Sequence, residues 1–327
     1  MIMTKMHYPK LLDLVGNTPL IQIDLGCKAT VLAKLEFLSP GGSIKDRSAL
    51  YMIEQAEQDG RLQPGGTIVE ASSGNQGIAL AMIGALKGYR VIITVPDRTA
   101  AEKIAVLRAY GAEVHVCPNT ATHDDPRGYH ARAEQLLHSI PGAFMPDQYF
   151  NKANADAHYA STGKNIWEQT NGTVTHFLTG AGTCGTISGV GRYLKEQNPA
   201  VKIIGVDSVN SFYSSKEPKE YAVEGLGIDV ISDTFDQKVV DQILTITDAE
   251  AFESTRQVAR EMGLLVGISG GAVLHCAKKY AQSLTADDVL VIILADSGRA
   301  YLSKVFMNHE TNVAAPLRRP AAQEITL

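Results

Sequence analysis

The chain contains 327 residues, 45% of them hydrophobic and 20% charged, with a net charge of -5 at neutral pH. These values are typical of a globular protein with a large core. They exclude an intrinsically disordered chain, and the isoelectric point near 6.0 argues against a nucleic-acid-binding protein. At roughly 150 residues per domain, the length predicts about two domains. The four cysteines stand singly, so we expect no disulfide framework, no metal site and a reducing, cytoplasmic location.

No pattern in the sequence is typical of export or membrane insertion. The first residues hold no apolar stretch of signal-peptide length, and no window reaches roughly 18 consecutive apolar residues, the length that a transmembrane helix needs. Residues 311–327 contain two prolines, many small residues and no periodicity. We therefore predict a disordered tail there, and neither a membrane nor a nucleic acid as a partner.

Strand and helix patterns alternate along the chain. Apolar, β-branched runs predict strands at residues 67–70, 90–95, 174–179, 201–207 and 287–296, with a further strand after Gly111. Apolar residues at helical spacing predict helices just after Lys45, from residue 78, before Gly111, at 128–140, 154–170, up to about Glu196, 248–262 and 270–283. This order predicts an α/β fold with a mostly parallel sheet covered on both faces, and such sheets bind ligands at the carboxyl ends of their strands.

A glycine-rich turn follows the predicted strand at 174–179. Residues 180–185, GAGTCG, match the dinucleotide-binding pattern G-x-G-x-x-G, and Asp207 follows at the spacing of an NAD ribose contact. The pattern itself indicates only that backbone N–H groups at a helix N-terminus are available to a phosphate. An NAD-dependent dehydrogenase, a different phosphate ligand and a tight turn without a ligand all stay open on these residues alone.

A second motif, GISGG at residues 267–271, matches the nucleophile elbow G-x-S-x-G of hydrolases. A hydrolase also needs an acid and a histidine after Ser269. Asp296 and His309 follow in that order, but they stand close together near the end of the chain. The alternative interpretation is that Ser269 caps the N-terminus of a helix.

Lys45 stands in an unusual local sequence. It follows the turn PGGS at residues 40–43, and a helical pattern begins just after it. The positive field of a helix N-terminus favours the neutral amine, which is the nucleophilic form that a Schiff base needs. Most lysines are solvated surface residues, and spacing alone does not separate the two interpretations.

Taken together, nine motifs make the chain recognisable. Their order and spacing resemble the β-family of pyridoxal-phosphate (PLP) enzymes, fold-type II, which includes cysteine synthase and cystathionine β-synthase. The resemblance runs from residue 11 to about residue 310. It rests on VGNTPL (15–20), GGSIKDR (41–47), EASSGNQGIALA (70–81), EKIAVLRAYGAEV (102–114), DQYFNKANADAHYASTGKNIW (147–167), GAGTCGTISGVGRYLKE (180–196), IIGVDS (203–208), YAVEGLGID (221–229) and ISGGA (268–272).

The resemblance implies a cofactor site and a substrate site. PLP is the implied cofactor, with no haem; Lys45 is the implied Schiff-base lysine and catalytic base, Asn75 bonds the ring hydroxyl, and Ser269 faces the pyridine nitrogen. The loop for the cofactor phosphate comprises Gly182, Thr183, Cys184, Gly185 and Thr186. The implied substrate-binding residues are Ser72, Ser73, Gly74, Asn75, Gln148, Glu224 and Gly225.

The reaction implied is β-replacement on serine or an activated serine, through an aminoacrylate. Three segments resemble cystathionine β-synthase, which joins serine to homocysteine: DQY with ANADAHY, YAVEGLGID, and LADSGRAYLSK at 294–304. Two alternatives stay open: a cysteine synthase using O-acetylserine or O-phosphoserine with sulfide, and a synthase that condenses phosphoserine with glutamate. The partners implied are small amino-acid substrates and a second copy of the chain in a homodimer.

The resemblance also implies two three-layer α/β/α domains with PLP in the cleft between them. The larger domain would comprise residues 1–41 and 148–310, and the smaller, partly mobile one residues 42–147. Three residues depart from the family pattern: Cys184, Gln76, and Ile268, which replaces a small residue before Ser269. Cys184 replaces a glycine in the phosphate loop, where we expect a negative φ that tolerates the side chain. Gln76 replaces a threonine beside the substrate loop, which leaves the substrate less certain than the cofactor.

Overall fold

The computed structural model describes residues 7–72, 74–118, 125–228 and 230–307. Its strands are β1 Leu20–Ile23, β2 Thr30–Leu35, β3 Thr67–Ala71, β4 Arg90–Pro96, β5 Glu113–Cys117, β6 His176–Gly180, β7 Lys202–Ser208, β8 Gln242–Ile246 and β9 Val289–Leu294. Its α-helices are α1 Lys45–Gln58, α2 Asn75–Lys87, α3 Ala101–Ala109, α4 Tyr129–Ser139, α5 Ala153–Ala157, α6 Lys164–Gln169, α7 Gly185–Gln197, α8 Asp248–Glu261 and α9 Ile268–Tyr280. A π-turn, His158–Gly163, joins α5 to α6.

Six strands form the larger sheet, in the order β1-β2-β9-β6-β7-β8. Only β1 runs antiparallel to its neighbour; the other pairs are parallel. Successive residues of β9 alternate between two cores: Leu290, Ile292 and Leu294 pack with α8 and α9 on one face, and Val291 and Ile293 pack with α7 on the other. Both faces are therefore covered, as a parallel sheet requires.

The smaller sheet contains β3, β4 and β5, all parallel. Val91 and Ile93 of β4 lie in a core that includes residues of α1 and α2, while Ile92 packs against Ala133 and Leu136 of α4. This sheet too has helices on both faces. The predicted α/β class with mostly parallel sheets is confirmed, whereas the predicted domain boundaries stay a prediction.

Some predicted elements need correction. The strands β1, β2 and β8 were not predicted, because their short runs carry lysine, glutamine and threonine among the apolar residues. The first helix begins at Lys45 itself, not after it.

Ser73, Asp229, His309 and the predicted tail at 311–327 lie outside the described residues. Within the described part of the chain, no helix combines the length and the hydropathy that crossing a membrane requires.

Candidate active site

Lys45 is the first residue of α1 and lines a cavity at the carboxyl edge of the larger sheet. The turn before it is fixed, because Ile44 N donates to Ala295 O at 2.9 Å and Lys45 N donates to Ser43 Oγ at 3.2 Å. Burial lowers the pKa of the Lys45 ammonium to about 8, and Cys184 and Asp296 oppose this shift. A sizeable fraction of the Lys45 amine is therefore neutral at physiological pH.

Eight residues of the predicted site share the wall of this cavity. They come from five separate segments of the chain, and the structure brings together Lys45, Asn75, Gly182, Thr183, Cys184, Thr186, Gly225 and Ser269. Gly185 starts α7 directly behind the loop. The predicted substrate residues Ser72, Gly74, Gln148 and Glu224 do not line it. The cavity thus collects all the residues predicted for the cofactor except Gly185, together with Gly225 from those predicted for the substrate.

The loop after β6 is closely packed. A Cβ at Gly182 would lie 2.8 Å from Gly225 O, and one at Gly185 would lie 2.3 Å from Asn154 Oδ1, so larger residues do not fit at either position. The loop leads into α7, whose first N–H groups have no carbonyl partner within the helix. Those N–H groups and the helix dipole favour an anion at this place.

Cys184 has the left-handed conformation, with φ +63° and ψ 4°, so the expectation of a negative φ is wrong. It immediately precedes α7, and the left-handed residue turns the chain into the helix. A side chain costs roughly 1 kcal/mol in this conformation compared with glycine. The thiol is buried and donates to Gly182 O at 3.7 Å, and burial raises its pKa well above the usual range. Cys184 is therefore a packed, protonated part of the loop.

His158 supports the loop from behind. It is fully buried; its Nδ1 lies 2.9 Å from Thr162 Oγ1 and its Nε2 lies 3.3 Å from Thr186 Oγ1. Burial, together with the charges of Lys45 and Arg47, lowers the pKa of His158 well below its usual value. The neutral ring therefore connects the Thr186 hydroxyl to the π-turn. Spacing alone gave no sign of this contact.

Ser269 lies in the first turn of α9, where Gly267 is the N-cap and no side chain caps the helix. The interpretation of Ser269 as a helix cap is therefore wrong. Its side chain is buried and lines the cavity, and Ser269 Oγ makes no hydrogen bond within the described part of the chain. The hydroxyl is thus available to a ligand in the cavity.

Asn75 begins α2 and is held by the buried carboxylate of Asp296, which the sequence pattern predicted only as the acid of a hydrolase. Asn75 Nδ2 donates to Asp296 Oδ2 at 2.7 Å, and Tyr301 Oη donates to the same oxygen at 2.5 Å. Asp296 and Tyr301 are 2% and 1% exposed, and burial raises the pKa of Asp296. Because Asp296 follows β9 and Asn75 follows β3, this hydrogen bond joins the two sheets.

The other predicted substrate residues lie around this link. Ser72 Oγ accepts from Gly74 N at 3.3 Å and from Gly77 N at 3.1 Å, which shapes the turn before α2. Glu224 accepts from two lysines, Lys103 on α3 and Lys304 near the end of the described chain. Those charges lower the pKa of Glu224, against the effect of burial. Glu224 is thus an ionised carboxylate with both oxygens occupied.

A second cavity of about 650 Å³ adjoins the first at Asn75. Most of its wall is apolar, with Leu38, Ile78, Val106, Leu264 and Leu265, and its charged lining residues are Glu102, Lys103, Asp296 and Arg299. Arg299 is exposed and forms no ion pair among the described residues. The combination of apolar wall and both signs of charge suits a small zwitterion.

The acids that the dehydrogenase and hydrolase interpretations require are both bonded to other groups. Asp207 is fully buried and accepts from Ser211 Oγ, Ser214 Oγ and Ile228 N, so no ribose can reach it. Among the described residues, which do not include His309, Asp296 accepts from Asn75 and Tyr301. Among the described residues, no group of three potential ligands could hold a metal ion.

Comparisons with known proteins give the same family as the motifs. Residues 11–296 match the family model of pyridoxal-phosphate dependent enzymes. Cystathionine beta-synthase of Saccharomyces cerevisiae is 44% identical over 90% of this chain and 62% of its own length, so the chain spans about three fifths of that relative. Cysteine synthase B of Pseudomonas aeruginosa is 41% identical, covering 91% of this chain and 97% of the relative. The crystal structure of an O-acetylserine dependent cystathionine beta-synthase from Helicobacter pylori has a TM-score of 0.85 at 35% identity, covering 92% and 100%.

Proposed function

Since the chain belongs to the pyridoxal-phosphate dependent enzyme family, we propose that it catalyses a β-replacement on serine or an activated serine, with homocysteine as the second substrate. The observation that carries this proposal is the pair of adjoining cavities, one lined by Lys45 and the loop after β6, the other large enough for an amino-acid thiol. Relatives bearing the name cystathionine beta-synthase support it.

The residues of the first cavity fit PLP. Its phosphate would be held by the N–H groups of residues 182–186 and the hydroxyls of Thr183 and Thr186, without a basic side chain. The unbonded Ser269 hydroxyl would meet the pyridine nitrogen as a neutral partner, and Asn75 Nδ2 has a second hydrogen for the ring oxygen. When bound through its aldehyde to an amino acid, PLP supplies an electron sink that stabilises negative charge at Cα.

The residues of this chain supply the remaining steps of the mechanism. The turn from Ser72 to Asn75, at the start of α2, would bind the α-carboxylate through N–H groups and hydroxyls, and Gln148 would close over it. With the carboxylate fixed, the neutral Lys45 amine would remove the proton from Cα and return a proton later. The neutral Ser269 hydroxyl would not hold a proton on the pyridine nitrogen, which would moderate the electron sink and favour loss of a β-substituent over transamination.

The second cavity favours an amino-acid thiol over sulfide. A water-sized molecule such as sulfide needs a cavity of only roughly 10–15 Å³, whereas this cavity measures about 650 Å³. The apolar wall suits the methylene groups of homocysteine, and the exposed Arg299 suits its carboxylate. Cysteine synthase stays the second candidate, because Cysteine synthase B of Pseudomonas aeruginosa is matched over almost its full length.

The experiment has two stages. PLP-loaded protein is titrated with serine, O-acetylserine and O-phosphoserine, and the amino acid that changes the cofactor absorbance identifies the first substrate. Homocysteine, sulfide and glutamate are then supplied, and the products are identified by mass spectrometry. We expect cystathionine. Cysteine as the sole product would favour cysteine synthase, and no product with any pair would overturn β-replacement.

Location and assembly belong to the same proposal. The unpaired cysteines support a reducing, cytoplasmic setting, and the family resemblance supports a homodimer. Sedimentation of the PLP-loaded protein tests the second of these, since a monomer at micromolar concentration would contradict it.

A further inference from the structure

Gln148 is the residue predicted to close over the substrate carboxylate, and its backbone is held on both sides by buried side chains. Gln148 N donates to Glu70 Oε1 at 3.3 Å, and Asp147 N donates to Glu70 Oε2 at 2.9 Å. On the other side, Asn154 Nδ2 donates to Gln148 O at 2.7 Å. Asp147 has a φ of +53°, so the turn is sharp and needs these bonds.

The side-chain amide of Gln148 is in the opposite situation. It makes no hydrogen bond within the described residues, although Gln148 is only 9% exposed. Neither polar atom of this amide is among the fully buried side-chain atoms that lack a partner in the described residues, so water or a ligand can reach it. The backbone of this residue is therefore fixed while its side chain stays available.

Asn154 also contacts the loop after β6. It lies in α5, it is 0% exposed, and its second Nδ2 hydrogen bond goes to Thr183 Oγ1 at 3.1 Å. Thr183 belongs to the loop after β6, and Ser232 Oγ donates to its carbonyl oxygen at 3.0 Å. Both hydrogens of one buried amide are thus used to join the Gln148 turn to the loop predicted to hold the phosphate.

We propose that Asn154 is a positioning residue that couples the two ligand sites: a phosphate on the loop at Thr183 and a carboxylate under Gln148 each stabilise the arrangement that the other needs. The proposal rests on the proposed function only in requiring an α-amino acid as ligand, whatever its β-substituent. Coupling of this kind is reciprocal, so breaking the hydrogen bonds of Asn154 must weaken the binding of both ligands.

The test begins with Asn154→Leu, which keeps the approximate volume and removes both donors. Two constants are measured: the dissociation constant of PLP from the apoprotein, and that of serine from the absorbance change of the loaded protein. O-acetylserine is used where serine gives no absorbance change. We expect each constant to rise about tenfold, the size of effect that a lost buried hydrogen bond produces.

The matched control is Asn165→Leu. Asn165 lies on α6, and its Oδ1 accepts from Arg47 Nη1 at 2.9 Å, so the variant loses a hydrogen bond between helices outside both cavities. Thermal unfolding verifies that both variants are folded. Similar losses of ligand affinity in both variants would overturn the proposal, as would a change in only one constant in Asn154→Leu.

A double-mutant cycle separates coupling from a general structural role. Thr183→Val removes the oxygen that Asn154 bonds and keeps the shape, while Thr183→Ser retains that oxygen. We expect Thr183→Val to weaken serine about tenfold in the wild-type background and about twofold or less beside Asn154→Leu, because both changes break the same bond. Equal effects in the two backgrounds would contradict the link. If Asn154→Leu does not fold, equal serine constants for Thr183→Val and Thr183→Ser would contradict it alone.

These outcomes are independent of the second substrate. A protein that binds serine but makes no cystathionine would overturn the proposed function and leave the Asn154 link standing. A protein that makes cystathionine, but in which Asn154→Leu leaves both constants unchanged, would do the reverse.

Discussion

Two strand–turn–helix units face the reaction site and are built differently. The turn after β6 leads into α7 and is shaped by its backbone: Gly182 and Gly185 leave no room for a side chain, and Cys184 takes the left-handed conformation. The turn after β3 leads into α2 and is shaped by side chains: Ser72 accepts from two backbone N–H groups, and Asn75 is tied to Asp296 across the sheets.

The difference follows from what each turn is expected to bind. A phosphate has several equivalent oxygens, and a rigid set of N–H groups satisfies it without further chemistry. A reacting amino acid must be held with its Cα–H bond in one direction, which needs side chains fixed by their own partners. The second turn should therefore depend on remote residues that fix its side chains, such as Asp296.

The largest expected effect separates binding at the first turn from covalent attachment. In Lys45→Ala, β-replacement should fall about 10³-fold or more, because the base at Cα is lost. PLP should still bind through the phosphate turn, without a borohydride-stable adduct. Absorbance, equilibrium dialysis and peptide mapping check this. A variant unable to take up any PLP would show that the turn after β6 is not sufficient to bind the cofactor. In the wild type, borohydride reduction must give an adduct at Lys45.

Asp296→Ala tests the dependence of the second turn on a distant residue. The change leaves the Asn75 amide and the Tyr301 hydroxyl without their shared acceptor, so we expect kcat/KM to fall about 10- to 100-fold. The cofactor absorbance should shift, because Asn75 loses its orientation. Asp296→Asn, which keeps an acceptor oxygen, should recover part of both. Identical spectra for wild type and Asp296→Ala would contradict this role.

The pH dependence of cofactor attachment tests the lowered pKa of Lys45, which lies in the cavity between the two turns. Only a neutral Lys45 amine can bond the cofactor aldehyde, and burial lowers its pKa to about 8. Below pH 8 the neutral fraction falls about tenfold per pH unit; above pH 8 it is nearly complete. The rate at which apoprotein and PLP combine should therefore level off above about pH 8. A rate that keeps rising to about pH 10 would indicate an ordinary lysine.

Arg299→Gln tests the cavity that the second turn opens onto. We expect KM for homocysteine to rise about tenfold, because the carboxylate loses a charged partner, while turnover with sulfide or with 3-aminopropane-1-thiol stays the same. Arg108→Gln is the control, since Arg108 is an exposed arginine on α3 outside the cavity. An equal effect on the reaction with sulfide would contradict the role of Arg299 in binding the carboxylate of the second substrate.

The smallest expected effect concerns Cys184. Cys184→Ala and Cys184→Gly both remove the buried thiol, but only glycine accepts φ +63° without cost. The glycine variant should therefore exceed the alanine variant by about 1 kcal/mol in free energy of unfolding, with similar PLP affinity. Urea denaturation measures this difference. Equal stabilities would mean that the left-handed conformation costs nothing here.

The sequence predicted those parts of the molecule that repeat a local pattern. The strands β6, β7 and β9, the glycine loop and Lys45 all carry period, composition or motif in a few adjacent residues. The strands β1, β2 and β8 were missed because their runs mix glutamine, lysine and threonine with apolar residues, and pairing with distant neighbours, which no local pattern records, decides their structure.

Residues that act through distant partners were also missed. Asn154, His158 and Tyr301 stand in segments where only the fold brings them to Thr183, Thr186 and Asp296. Asp296 was noticed for the wrong chemistry, as the acid of a hydrolase. The φ of Cys184 was predicted with the wrong sign, because a residue type does not determine the turn that its neighbours require.

Backbone amides do not titrate, and this gives the loop after β6 one more property. The donors that this loop offers therefore stay the same over a wide range of acidity, whereas the neutral fraction of the Lys45 amine changes with pH. Retention and reactivity are thus assigned to different parts of the molecule. Acidification would therefore reduce the reactivity of Lys45 without changing the backbone donors expected to hold the cofactor phosphate.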